Sequence, residues 1–557
     1  MKRMALGVCL VIILSGCTSP GQEAEPEPST PVEIAVNQVG YLPLAPKVAT
    51  VIVAGGVPQG KPAAAFDVVR ADTGKAVYSG TLKGPVEEPE SSGGPAWLAD
   101  FSGLKAEGTY TVQIKGGGES APFRIAANIY SDIFQLSARS YNLQRCGTAL
   151  NDALTGLKHD ACHLQPSVLD QDRSAALDTT GGWHDAGDYG KYIPPAAITV
   201  GQLLMLVEFM PQTGGLALEG TTLLDEVRYE LQWMLKMQRS DGAVYHKVTT
   251  EQFPGFILPE RDTAPLLVYD VGTSSTALFA AATARAARTF AVTDPAFAQQ
   301  LAVAAQKAWQ WLGAHPGLIR PPVGNTGPYL APSDRDAREW AAAELFALTG
   351  EVVYETFLKE NPRTTASPPS WDNTGDMALL TYAFTPGADP AHKAAVVAVI
   401  QKEADERVEK AQRHPFGTAL GVGEYKWASA KKALAIAQHL LLADRLVPNP
   451  AYASVAADQL NWVLGRNPLR KSFVTGVGAD PPKHPHHRLV AATGKMVPGL
   501  LVGGPNADGQ DRDAPPGLGP RSYIDVQGSY STNEPAIDYN APLVFVTGWF
   551  TAGRDFR

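Results

Sequence analysis

The sequence predicts a mainly α chain in two parts, a small β-sandwich followed by a helical barrel or toroid. Two observations carry that expectation. Residues 32–125 alternate apolar and polar side chains with a period of two between turn signals, as half-buried strands do. From residue 126 the spacing becomes helical, in many segments of similar length joined by long polar loops rich in Gly and Pro. The 557 residues exceed one ordinary domain, and 45% hydrophobic with 18% charged residues supports a large core. No fixed-period repeat is visible.

The first segment reads as targeting. Lys2 and Arg3 precede an apolar run from Met4 to Leu14, too short to span a bilayer as a helix. Leu14-Ser15-Gly16-Cys17 then places small residues before a Cys, as a lipoprotein signal peptidase requires. Residues 1–17 are therefore expected to be an export signal that leaves Cys17 lipid-anchored to a bacterial cell envelope; an ordinary secretory signal is the plainer alternative. Residues 18–31, rich in Pro, Glu and Ser, read as a flexible tether. The net charge of -9 disfavours nucleic acid and anionic membrane surfaces as partners and suits a neutral one. No organic cofactor is expected, and a monomer is.

Within the sandwich, Tyr110, Val112 and Ile114 alternate with Thr111, Gln113 and Lys115. Gly116-Gly117-Gly118 turns the chain, Phe123-Arg124-Ile125 begins a return strand, and Asp72-Thr73-Gly74 separates two further strands. In the helical part, Asp294-Pro295 and Asp389-Pro390 each supply an N-cap and a Pro at the first helical position. Phe297, Leu301, Ala304, Ala308 and Leu312 share one face, with Gly313 as the expected stop. Leu224, Val227, Leu231, Met234 and Leu235 mark an earlier helix, and others are expected near 273–290, 336–349, 429–445 and 450–464.

Two loops carry candidate chemistry. Gly181-Gly182-Trp183-His184-Asp185-Ala186-Gly187-Asp188-Tyr189-Gly190 holds four glycines in ten residues, which implies close backbone approach. Asp185 and Asp188 can point the same way and deprotonate one water; a calcium loop or a pair of N-caps is the bland alternative. The second loop, Tyr530-Ser531-Thr532-Asn533-Glu534-Pro535, offers Glu534, which alone reads as an ordinary first-turn acid.

Together these loops resemble family 9 glycoside hydrolases, the cellulase family with an (α/α)6 barrel, and the resemblance covers nearly the whole chain. It begins at Asn37-Gln38-Val39-Gly40-Tyr41, similar to the start of the immunoglobulin-like domain that precedes the barrel in one branch. It continues through Asp241-Gly242, Tyr245-His246-Lys247-Val248-Thr249, Leu464-Gly465-Arg466-Asn467-Pro468, Ser472-Phe473-Val474-Thr475-Gly476, Pro485-His486-His487-Arg488 and Gly503-Gly504-Pro505-Asn506. It implies an immunoglobulin-like β-sandwich domain at 32–125 and an (α/α)6 barrel at 126–557. It further implies inverting hydrolysis of β-1,4 bonds in cellulose or a related β-glucan, with endoglucanase-like action. An exo-acting glucosidase or glucosaminidase of the same family is the alternative. By position, Asp188 corresponds to the general base, Asp185 to the carboxylate that helps hold the water, and Glu534 to the general acid. His486, Arg488 and Tyr530 correspond to sugar-contacting residues. Such a pair must protonate the leaving oxygen and drive water onto the opposite face of the ring.

Cys146, Cys162, His163 and His184 suit either a disulfide between the two Cys or a metal. The resemblance implies a closed, structural zinc on these four residues. It also makes calcium possible at Ser333-Asp334-Arg335-Asp336-Ala337-Arg338-Glu339-Trp340, although Ala337 stands where the family often has Glu. Trp340, Trp371 and Trp427 lie in regions that line the cleft in relatives, with core packing as the alternative reading. Trp427-Ala428-Ser429-Ala430 departs from the family's Trp-Gly-Ser-Asn.

Overall fold

The computed structural model describes residues 31–53, 63–87, 94–210, 217–218, 221–552 and 556. The expected signal, Cys17 and nearly all of the tether lie outside them. Among the described residues no helix is long and apolar enough to cross a membrane.

Residues 32–125 form two facing sheets. One has the order β1 (Val32–Ala35), β3 (Val48–Val53), β7 (Ala96–Asp100), β6 (Lys83–Val86). The other runs β2 (Gly40–Tyr41), β10 (Phe123–Ile125), β8 (Gly108–Ile114), β4 (Ala65–Arg70), β5 (Lys75–Thr81), with β9 (Gly118–Glu119) against β8. Tyr110, Val112 and Ile114 point into the shared core, β10 pairs antiparallel with β8, and Asp72-Thr73-Gly74 turns β4 into β5.

Among the described residues, twelve α-helices of nine or more residues follow. They are α1 (Ser131–Leu143), α2 (Ile193–Phe209), α3 (Leu223–Lys236), α4 (Thr273–Phe290), α5 (Pro295–Ala314) and α6 (Arg335–Thr349). Then come α7 (Val352–Glu360), α8 (Gly375–Phe384), α9 (Pro390–Arg413), α10 (Ser429–Leu446), α11 (Pro450–Val463) and α12 (Ile537–Thr551). The even-numbered helices form a closed inner ring in which α12 meets both α10 and α2, and each odd-numbered helix packs outside an inner one. The sequence explains the division. α2 and α12 are apolar or small on every side and are buried almost throughout, whereas α5 and α9 bury a stripe and leave a polar face.

Asp294 and Asp389 accept from the backbone N–H of Phe297 and His392 at 3.1 and 2.8 Å, as expected of caps. Gly313 does not stop its helix: α5 continues to Ala314.

The motifs Asn37-Gln38 and Leu464-Gly465-Arg466 join the two parts. Asn37 donates to Asn461 Oδ1 at 2.8 Å, Gln38 N–H to Leu464 O at 2.9 Å, and Arg466 Nε to Thr50 Oγ1 at 3.3 Å. Gly465 sits at φ +125°, where a Cβ would fall 2.8 Å from Val36 O.

Candidate active site and metal centre

The Gly-rich loop leads into α2 and is folded on itself, with Asp185 N–H donating to Gly190 O at 2.9 Å. Its glycines are steric necessities at two places. At Gly182 (φ +77°) a Cβ would lie 2.7 Å from the Trp233 ring. At Gly187 one would lie 1.9 Å from His486 O and 2.8 Å from Glu534 Oε1. That close approach lets Gly187 N–H donate to Glu534 Oε1 at 3.1 Å across 347 residues of chain. The second loop is seated by Asn533, which accepts from Tyr523 OH at 2.6 Å and donates to His484 O at 2.7 Å.

The three carboxyls have different surroundings. Asp188 Oδ2 accepts from Gly190 N–H at 2.9 Å and from Tyr192 OH at 3.2 Å. Asp185 is buried; its Oδ2 accepts from Tyr329 OH at 2.5 Å, and its Oδ1 has no partner among the described residues. Burial, then the charges of Asp188 and Asp538, push the Asp185 carboxyl well above the usual carboxylate range. Burial and Asp188 raise Glu534 to about 8, against the opposing pull of Arg488 and the Gly187 amide. Glu534 is thereby held as an acid at neutral pH, beside Asp188.

His486 is half-buried, with its backbone N–H donating to Asn533 O at 3.0 Å and its ring Nδ1 at 2.7 Å from Gln527 O. Arg488 is a brace as well as a charge: Nη1 donates to Gly187 O at 3.0 Å and Nε to Pro254 O at 2.9 Å. Tyr530 and Trp427 are exposed, and Trp427 Nε1 donates to Tyr539 OH at 2.7 Å. Trp340 is not in the cleft. It is fully buried in α6, donating from Nε1 to Glu344 Oε1 at 2.9 Å, and its ring fills the space over Gly201. Trp371 is half-buried behind Tyr329, with ring centroids 5.0 Å apart.

Sequence reasoning missed Tyr192 and Tyr329. Tyr192 lies four residues beyond Asp188, so a hydroxyl near that loop was a usable signal. Tyr329 arrives from a distant loop at φ +42°, and no local pattern announced it.

Cys146, Cys162, His163 and His184 converge, with ligand atoms all within 4.8 Å of one another. The two Cys are free thiols, which removes the disulfide reading. Cys146 Sγ lies 3.7 Å from His163 Nδ1, and Cys162 Sγ lies 3.8 Å from His184 Nε2. Tetrahedral zinc with ordinary bond lengths requires S···N edges of about 3.6 Å. The donor set and spacing therefore fit that ion. His163 Nε2 faces Asp262 Oδ2 at 3.4 Å, the carboxylate support typical of a metal-bound imidazole. Hydrogen bonding from Cys162 draws the Cys146 thiol well below its usual range, toward the thiolate that binds metal.

The acidic segment before Trp340 does not fit calcium. Asp334 pairs with Arg338 at 3.0 Å, Glu339 lies between Arg335 and Arg363 at 2.8 and 2.6 Å, and Asp336 accepts from Thr374 N–H at 2.6 Å. Arginines supply the positive charge there, and the carboxylates do not converge.

A family pattern described as Glycosyl hydrolase family 9 matches residues 130–547, and one described as Cellulase N-terminal ig-like domain matches residues 29–119. Endoglucanase D of Acetivibrio thermocellus is 34% identical over 541 residues, covering 93% of this chain and 83% of its own length. Among solved structures, a metagenome-derived family 9 endoglucanase is 44% identical with a TM-score of 0.89, covering 93% of this chain and 99% of its own. A Zn-binding triple mutant of the family 9 endoglucanase J30 is 39% identical with a TM-score of 0.87, covering 92% and 99%.

Proposed function

The chain belongs to glycosyl hydrolase family 9, and from that premise we propose that it cuts internal β-1,4 bonds of cellulose or a related β-glucan, with Glu534 as general acid and Asp188 as general base. The observation that carries this reading is the meeting of the two loops, in which Glu534 accepts from Gly187 N–H at 3.1 Å next to Asp188 in the chain, and burial raises the Glu534 carboxyl to about 8. Glu534 passes its proton to the glycosidic oxygen as that bond breaks. Asp188 takes a proton from water, which attacks the anomeric carbon from the opposite face, so configuration inverts. With Asp188 Oδ2 engaged by Gly190 and Tyr192, Oδ1 is the oxygen assigned to that water. Asp185, fixed by Tyr329, is a second support for the water, and His486 and Arg488 border the reacting sugar.

Proton NMR of freshly released product tests the mechanism: the α-anomer must appear first from the β-linked substrate, and β-anomer would overturn it. Endo action predicts that glucan viscosity falls well before reducing ends accumulate. The exo-acting alternative is not favoured.

We further propose that the four-residue cluster holds zinc. Its two Cys and two His would fill a tetrahedral shell, so the ion would supply structure, tying the end of α1 to the Asp185–Asp188 loop. Metal analysis should find about one zinc per chain. The leader sequence supports export and lipid anchoring at Cys17; mass spectrometry of a Cys17→Ser variant, lacking the acyl mass, tests that assignment.

A further inference from the structure

Four aromatic side chains are exposed among the described residues: Phe253, Phe256, Trp427 and Tyr530, at 40–45%. They are not scattered. Phe256 meets His486 edge-on at 5.2 Å, His486 meets Tyr530 at 5.9 Å, and Tyr530 meets Trp427 at 5.9 Å between ring centroids. Phe253 and Phe256 both lie against the Arg488 guanidinium, 5.4 and 5.6 Å from their centroids. The exposed aromatic surface is thus one row crossing the candidate active site at His486. Neither the catalytic nor the metal assignment gives the Phe253 or Phe256 side chain a role.

That loop is built to stay in place. Pro254 O accepts from Arg488, Ile257 O accepts from Tyr189 OH at 2.5 Å, and Asp262 faces His163. Its backbone is anchored to the Gly-rich loop and the metal cluster, yet both Phe rings remain in solvent. Leaving two apolar rings exposed on an anchored loop costs hydrophobic free energy that a ligand would recover.

We propose that Phe253 and Phe256 are a sugar-stacking platform that extends the glucan cleft past His486, so that the polysaccharide lies along the row from Phe253 to Trp427. The occupant is the β-1,4-glucan itself, whose pyranose rings present apolar faces to aromatic rings. The inference rests on the glucanase reading and adds to it a requirement for chain length. The platform acts on long substrates and leaves those too short to reach it untouched.

The experiment compares wild type, a Phe253→Ala/Phe256→Ala variant and a Phe253→Trp/Phe256→Trp variant on cello-oligosaccharides from triose to hexaose, with melting temperatures measured for each. The Ala variant should lose about ten-fold in kcat/KM on cellohexaose, through KM, and stay near wild type on the shortest oligosaccharide cleaved. The Trp variant should keep the wild-type length dependence. Calorimetric binding of cellohexaose in a Glu534→Gln background should weaken by the same factor. Equal loss at every length means loop collapse and overturns the platform, as does no loss on cellohexaose. A wild type inactive on every β-1,4-glucan defeats the glucanase reading, whereas an active wild type with unaltered Ala kinetics defeats the platform alone. A change only in self-association on removing the two Phe would reassign the row to protein contact and also overturn it.

Discussion

Replacing Glu534 by Gln removes the proposed proton and the electrostatic cost of housing it, and the two effects separate with pH. Burial and Asp188 raise the Glu534 carboxyl from 4.5 to about 8. A carboxyl whose folded-state value is raised favours the fold fully only below its unfolded value, and that contribution is lost as pH climbs from about 4.5 through about 8. The interval, at about 1.4 kcal/mol per pH unit, amounts to about 5 kcal/mol. The Glu534 side chain is only partly buried, and solvent screening reduces this to about 2–3 kcal/mol. Gln keeps the shape and cannot ionise. Denaturant unfolding should therefore find the two proteins alike near pH 4.5 and the Gln variant more stable by that margin near pH 9. Turnover of polysaccharide should fall about 10²–10⁴-fold in the variant. In wild type it should decline as pH rises through about 8. A stability gap independent of pH, or near-normal turnover by folded Glu534→Gln, would refute the reasoning.

Asp188→Asn should lose at least as much activity while circular dichroism and melting temperature stay near wild type; retained activity would place the base elsewhere. Strong chelation should remove the proposed zinc and lower melting temperature and turnover in parallel, since His184 adjoins Asp185; metal loss without either effect contradicts a structural role. Ala428 sits at φ 64°, immediately before α10, a conformation that suits glycine. Ala428→Gly should raise stability by about 1 kcal/mol in denaturant melts, and destabilisation would show that the side chain contributes packing worth more than the strain.

What the sequence disclosed follows the range of the interactions. The Asp–Pro helix starts, the β4–β5 turn and the alternation in β8 are local, and the structure has them where the pattern put them. The four side chains of the candidate metal site were visible as residue types, but one spacing served a disulfide and a metal equally, and only the fold brings the two His and the two Cys together. Tyr329 and the Phe253–Phe256 loop reach the site through tertiary packing and have no period or motif of their own. Trp340 misled for the opposite reason: a Trp near a cleft segment says nothing about which way its helix faces. Its partner Glu344, one turn on, was the local clue that the indole is satisfied inside the core. Ala428 is the instructive departure: it stands where the resemblance implied a glycine, on a backbone that is left-handed in this chain.

The closure of the inner ring has a consequence for how the protein is made. Synthesis delivers α2 and Asp188 hundreds of residues before α12 and Glu534, and the contact between the Gly-rich loop and Glu534 spans 347 positions. Until α12 docks, α2 and α10 each present to water a face that the finished ring covers. A chain interrupted between α10 and Glu534 holds the proposed base without the proposed acid and displays two apolar flanks, the kind of surface that chaperones and proteases recognise. Hydrolytic competence and the burial of those flanks therefore arrive in one step, with the helix that completes the circle.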